Sequence, residues 1–336
     1  MAAPVTLRPT EDEIIENFFA PLAGPAGLGL RDDAALLSVA DDSELVMTTD
    51  VLTSGVHFFA SDPPDAIARK ALRVNLSDLA AKAAEPIGFL LGLALPGDWT
   101  AEWLDGFAKG LADDAACFAC PLIGGDTVKS LGGLTLTITA LGTVPKGKFI
   151  PRRGVEEGDV LYVTGTIGDA ALGLRLRRGN GAERPWGQAL SSPARDYLLM
   201  RYLLPLPRLG LRDGLRAHAR AAMDVSDGLL GDLTQMLRLS GMTAELALTE
   251  IPLSKAARQA LAQDPTLVEP MLTGGDDYEI LCAVAPENEA GFKQEAAAGG
   301  LTVTPLARAR RGEEKPLVKD AEGLPLAFSA ASFRHF

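Results

Sequence analysis

Aspartates recur along this chain in a setting that would gather cations. They fall in Arg31-Asp32-Asp33, Thr48-Thr49-Asp50, Asn75-Leu76-Ser77-Asp78, Gly124-Gly125-Asp126-Thr127, Asp224-Val225-Ser226-Asp227-Gly228 and Gly274-Gly275-Asp276-Asp277. Most of these motifs join carboxylates to hydroxyl residues or glycines inside otherwise apolar segments. A carboxylate beside buried apolar surface is costly unless it is paired or binds a metal. Their recurrence where apolar strands end points to one shared site for hard cations. Oxygen-only donor sets suit magnesium, which in enzymes usually accompanies nucleotide phosphates. Phosphoryl transfer fits this inventory, because it asks mainly for positioning and charge neutralisation.

The elements that must hold these residues follow from periodicity. Residues 45–50 alternate as a strand, which puts Thr48 and Asp50 on one face. The spacing predicts a helix over 63–84, with Asp62 as cap and Pro63 in its first turn. Asn75, Asp78 and Lys82 then share a side of that helix, either a functional face or a solvated stripe. Strands are predicted at 88–95 and 134–139, with a helix over 103–116 between them. Strands and helices do not alternate strictly, so the first domain reads as α+β. Prolines and glycines cluster over 145–158 and mark a boundary, giving domains 1–148 and 149–336.

In the second domain, 160–163 reads as a strand entering Gly165-Thr166-Ile167-Gly168-Asp169 and a helix. That turn is either a phosphate cradle or plain structure. Residues 177–187 read as a loop. Residues 229–237 read as a helix opened by the 224–228 motif and closed by Gly241. Further strands are predicted at 244–248, 280–284 and 301–305, and helices at 255–262 and 287–298. Asp277 and Glu279 read either as site residues or as solvated strand-end charges, and Asp32 as a turn or cap residue.

Composition narrows the class. The 336 residues carry 32 Lys+Arg against 44 Asp+Glu, a net charge of −12, which argues against nucleic acid or an anionic membrane as partner. Hydrophobic residues make up 47% and charged residues 23%, ordinary for a globular protein. The few cysteines form no framework: Cys117 and Cys120 lack a second pair or a nearby His for zinc, so core packing is the expectation. Glu11, Asp12, Glu13 and Glu16 stand where a secretory leader would need basic and apolar residues, so a soluble, cytoplasmic protein is expected. No Walker loop, protein-kinase signature or Gly-x-Ser-x-Gly elbow is present, which excludes the commonest nucleotide and triad chemistries.

Taken together, Gly29-Leu30-Arg31-Asp32-Asp33-Ala34-Ala35, Thr48-Thr49-Asp50-Val51-Leu52, Gly55-Val56-His57-Phe58, Lys70 to Ala80, Ile123-Gly124-Gly125-Asp126-Thr127, 162–169, 224–229 and Thr273-Gly274-Gly275-Asp276-Asp277-Tyr278-Glu279 resemble the thiamine-monophosphate kinases. The resemblance runs in order from about residue 11 to Phe333-Arg334-His335-Phe336. It implies the aminoimidazole ribonucleotide synthetase-like fold, with an N-terminal α+β domain that dimerises through its sheet and a C-terminal α/β domain. It also implies transfer of the γ-phosphate of ATP to thiamine monophosphate, with several magnesium ions. The metal ligands it implies are Asp33, Thr48, Thr49, Asp50, Asp78, Asp126, Asp224 and Asp227. Asp50, Asp78, Asp126 and Asp224 are the residues it assigns to catalysis. Gly125, Asp126, Arg152 and Ser226 would contact ATP, and His57, Asp276 and Phe333 the thiamine substrate.

The chain departs from the family pattern at Arg31 for the usual Gly, Asp276 for Glu, and Ala108 in a column near Phe107 that is often aromatic. Arg153 beside Arg152 leaves open which guanidinium meets phosphate. Selenophosphate synthetase would need an N-terminal reactive Cys, and the hydrogenase-maturation relative a terminal Cys. A non-catalytic, nucleotide-responsive protein of the same fold would be expected to have lost ligands.

Overall fold

The structure is a computed structural model that describes residues 9–179, 183–329 and 332. The chain forms two compact units, one of Met1–Leu79 and Pro86–Thr143 and one of Ala80–Glu85 and Val144–Phe336.

The first unit opens with the short helix α1 (Glu11–Ile14). Thr10 accepts from Glu13 N–H, and the Glu13 carboxylate accepts in return from Thr10 N–H at 2.7 Å. This reciprocal pairing satisfies donors that a helix start otherwise leaves open. Then follow β1 (Ser43–Thr53), α2 (Pro64–Ala81), β2 (Glu85–Leu95), α3 (Ala101–Cys117), β3 (Leu122–Lys129) and β4 (Thr135–Pro145). The strands form one sheet in the order β1-β4-β2-β3, with β2 and β3 parallel. Alternation in β1 buries Val46 and Leu52 and leaves Leu45, Met47 and Val51 exposed.

The helix predicted over 63–84 is α2, and the side of Asn75, Asp78 and Lys82 is not a solvated stripe. Asn75 is fully buried, Asp78 and Lys82 are half-buried, and Lys82 Nζ donates to Ala222 O at 2.7 Å. Lys70, Arg73, Asn75 and Ser77 are all buried. Arg73 donates to both oxygens of Asp114 on α3, Nε to Oδ2 at 2.5 Å and Nη2 to Oδ1 at 2.9 Å. A paired, bidentate charge is what makes such burial tolerable.

The second unit contains β5 (Val160–Thr164), α4 (Asp169–Arg177), α5 (Pro185–Ala189), α6 (Ser192–Leu203), α7 (Arg212–His218), β6 (Ala219–Val225) and α8 (Leu229–Arg238). After them come β7 (Met242–Thr243), β8 (Glu245–Ala247), α9 (Lys255–Leu261), α10 (Val268–Thr273), β9 (Glu279–Val284), α11 (Glu289–Ala298), β10 (Val303–Arg308), β11 (Arg310–Arg311) and β12 (Leu317–Lys319). Its main sheet is ordered β10-β5-β9-β6 and is antiparallel at every pairing. The predicted loop over 177–187 runs into α5, because Pro185 suits a first helical turn and Trp186 anchors it in the core. β5 and β9 are buried along their whole length, with apolar clusters on both faces of the sheet.

Candidate active site

In the first unit, Thr48 Oγ1 donates to Asp78 Oδ2 at 2.5 Å. Thr48 and Asp50 share the β1 face that meets α2, as the period of two requires. Thr49 lies across the strand, where its hydroxyl donates to Ile138 O at 3.1 Å and accepts from Thr139 at 3.1 Å. On α2, one turn before Asp78, Asn75 is fully buried and its Nδ2 donates to Ala71 O. Its Oδ1 has no hydrogen-bond partner among the described residues.

A cavity of about 750 Å³ in the same unit is lined by Asp32, Asp33, Gly125, Asp126, Thr137 and Thr139, with Glu11, Ile15 and Phe19 at its N-terminal side. Thr48, Asp50 and Asp78 are not part of that lining. Asp32 Oδ1 accepts from Asp33 N–H at 2.8 Å, the turn role read for it. Gly125 is demanded by close approach, because a Cβ there would lie 2.1 Å from Leu91 O. His57 Nδ1 accepts from Thr53 N–H, and Lys70 Nζ donates to the His57 carbonyl, each at 3.0 Å.

Among the described residues no three His, Cys, Asp or Glu side chains converge at metal-holding spacing. The donor chemistry nonetheless suits magnesium: carboxylates beside hydroxyls, and one buried amide oxygen without a donor. Thr49 fits least, its hydroxyl being already engaged on both sides.

In the second unit the 224–228 and 274–278 motifs come together. Asp276 N–H donates to Ser226 O at 2.9 Å and Tyr278 N–H to Val225 O at 2.8 Å. A Cβ on Gly275 would sit 2.2 Å from Ser226 O, so only glycine lets the two backbones meet this closely. Asp224 is the penultimate residue of β6 and is 4% exposed. A second cavity, about 580 Å³, opens beside the 274–278 loop and is lined by Gly274, Gly275, Trp186, Arg175, Arg178 and Arg184.

Three carboxylates that sequence reasoning missed or left open hold this region. Asp232, on α8, accepts from both Ser226 N–H and Asp227 N–H at 3.0 Å. Burial pushes its carboxyl up to about 7; the two amides and the Arg152 charge pull the other way, and the Asp227 charge adds to the rise. Arg152 is half-buried and Arg153 is exposed.

Asp277 and Glu279, read as possible solvated charges, are both fully buried. Asp277 accepts from Gly168 N–H at 2.6 Å and Ala170 N–H at 3.2 Å. Burial pushes its carboxyl well above the ordinary range; the Gly168 amide opposes this and the Asp169 charge adds to it. Glu279 pairs with Arg201 and Arg208 and accepts from Thr164 Oγ1 at 2.6 Å. The 165–168 turn thus serves Asp277, a structural use of its amides. Phe333 lies outside the described residues.

Residues 31–144 match the family described as AIR synthase related protein, N-terminal domain, and residues 156–318 its C-terminal domain. The thiamine-monophosphate kinase of Caulobacter vibrioides is 44% identical over 317 residues, covering 93% of this chain and 87% of that protein. A crystal structure of thiamine-monophosphate kinase from Stenotrophomonas maltophilia superposes with a TM-score of 0.77 at 38% identity, covering 86% of this chain and 89% of that one. A structure described as AaThiL complexed with AMPPCP and TMP superposes with a TM-score of 0.76 at 29% identity, covering 91% of each chain.

Proposed function

The chain belongs to the thiamine-monophosphate kinase family of AIR synthase related proteins, and from that premise we propose how its residues divide the reaction. The activity is ATP-dependent phosphorylation of thiamine monophosphate, which completes thiamine diphosphate synthesis. The bond between the γ-phosphorus and the bridging oxygen to the β-phosphate breaks. A bond from an acceptor phosphate oxygen to that phosphorus forms, and ADP leaves.

Magnesium, when bound, offsets the charge of the phosphate groups. In the first unit the residues that would hold magnesium are Asp33, Thr48, Thr49, Asp50, Asp78 and Asp126; in the second they are Asp224 and Asp227. Gly125, Asp126, Arg152 and Ser226 contact ATP. Asp232 supports that role by fixing the amides of Ser226 and Asp227. His57, Asp276 and Phe333 contact the acceptor, Asp276 supplying an anion for the cationic thiamine body and Phe333 a flat apolar face.

The observation that supports this reading best is the clasp of the 274–278 loop on the 224–228 turn. Two acidic motifs far apart in sequence are bonded backbone to backbone at 2.8 and 2.9 Å. Purified protein given ATP, magnesium and thiamine monophosphate should form thiamine diphosphate and ADP in equal amounts, followed by chromatography. Absence of thiamine diphosphate would overturn the reading.

The protein is further taken to be a cytoplasmic homodimer. Leu45, Met47 and Val51 on β1, with Leu90 on β2 and Val128 on β3, leave the first unit's sheet with apolar surface that a second copy would cover. No helix among the described residues is long and apolar enough to cross a membrane. The three cysteines are free. Light scattering should give twice the 35.3 kDa chain mass, and a monomer at micromolar concentration would contradict the dimer.

A further inference from the structure

The 274–278 loop carries two non-glycine residues in the left-handed region, Asp276 at φ 75° and Tyr278 at φ 50°. L-residues there are strained and persist only when their surroundings impose the conformation. Asp277, between them, is what the rest of the unit grips. Its carboxylate takes the Gly168 and Ala170 amides at the start of α4, where the helix dipole favours negative charge. Its carbonyl accepts from Arg201 Nη2 at 3.0 Å, and the same nitrogen donates to Glu279 Oε1 at 2.9 Å. Arg208 Nε and Thr164 Oγ1 complete the Glu279 shell, each at 2.6 Å.

We infer that Asp277 is a positioning residue for the acceptor: it locks Asp276 in its left-handed conformation through two α4 amides and the Arg201 guanidinium. This rests on the assignment of Asp276 to the acceptor. The Asp277 side chain is fully buried and held by the Gly168 and Ala170 amides, so it acts through its neighbour. Besides Glu279, which Arg201 and Arg208 neutralise, Asp169 lies near that shell, and it is engaged by Thr166, Tyr197 and Ser254.

Asp277→Asn keeps the volume but turns one accepting oxygen into a donor facing an N–H. It should raise the acceptor KM by about tenfold, with KM for ATP within about twofold and kcat falling less than the acceptor KM rises. Asp276→Asn should raise the same KM, and the double variant should be no worse than the more damaging single one, because both act through one contact. A purely structural Asp277 would lower kcat through loss of folded enzyme and leave both KM values alone. That result, or additive effects in the double variant, overturns the inference. Arg201→Met removes the donor to the Asp277 carbonyl while Arg208 still pairs with Glu279. It should raise the acceptor KM in the same direction, and it decides the matter if Asp277→Asn does not fold. A wild-type protein unable to phosphorylate thiamine monophosphate overturns the functional reading and this inference with it, whereas an active wild type with additive variants overturns the inference alone.

Discussion

Asp78→Asn separates the chemistry of the first unit from its stability. The Asp78 carboxylate is half-buried and accepts a 2.5 Å hydrogen bond from Thr48. Asparagine keeps the size and an acceptor oxygen but removes the charge. A charge-assisted bond is worth roughly 1–2 kcal/mol more than nothing and about twice a neutral one, so the stability lost is about 1 kcal/mol. That corresponds to only a few degrees in melting temperature for a chain this size. The effect on turnover should be far larger. Losing one preorganised electrostatic partner costs about a hundredfold or more, close to 2.7 kcal/mol at 1.36 kcal/mol per decade. The assay is initial rate against free magnesium at saturating ATP, with melting curves on the same preparations. The variant should need more magnesium for half-maximal rate and stay at least about a hundredfold slower at saturation. Near-normal rates at limiting magnesium would refute the assignment of Asp78 to the metal, and a collapse of melting temperature would show its role to be structural.

Gly275→Ala puts a methyl 2.2 Å from Ser226 O, a backbone atom that cannot rotate away. The loop must lift, with loss of the Asp276 to Ser226 bond, at about 2–4 kcal/mol in urea unfolding and a matching loss of kcat/KM. Asp232 has a folded-state value raised to about 7 by burial, so its contribution is full below the unfolded value and is lost as pH rises through about 7. In chelator, wild-type stability should therefore fall by about 2 kcal/mol between pH 5.5 and 8.5 from this group, a slope that Asp232→Asn abolishes in urea titrations. Cys117 is exposed while Cys120 and Cys282 are buried, the Cys120 thiol pushed up to about 12 by burial. A thiol reagent should label one cysteine in the native protein and all three after denaturation, by mass spectrometry.

The parts of this fold legible in the sequence were those with local periodicity. Thr48 and Asp50 share a face because a strand repeats every two residues, and α2 follows from its apolar spacing. The burial of α2 was not legible, since Arg73 is neutralised by Asp114, forty-one positions on. Asp277 and Glu279 stayed open between site residues and solvated strand-end charges for the same reason. Their partners Gly168, Arg201, Arg208 and Thr164 lie between 71 and 115 positions away, and nothing in the local sequence marks them. Asp232 left a fainter trace: an acid in the first turn of a helix, able to reach back to the amides before it. That the 274–278 loop bonds backbone to backbone with the 224–228 turn, with Gly275 permitting the close approach, was not legible either, because the two motifs lie some fifty positions apart.

The strand order β1-β4-β2-β3 gives the first unit an unusual distribution of labour. Thr48, Asp50 and Asp126 all lie on the two outermost strands, and the inner pair contributes none of the proposed ligands. Outer strands have one row of amides without a neighbour in the sheet and open most readily to solvent. In heavy water, the β1 and β3 amides should therefore exchange deuterium early and those of β2 and β4 late. Cations and nucleotide engaging the outer strands would slow the early set and leave the late set unchanged. Occupancy of the site would then be visible as a change in exchange pattern at named strands, in protein that has turned over no substrate.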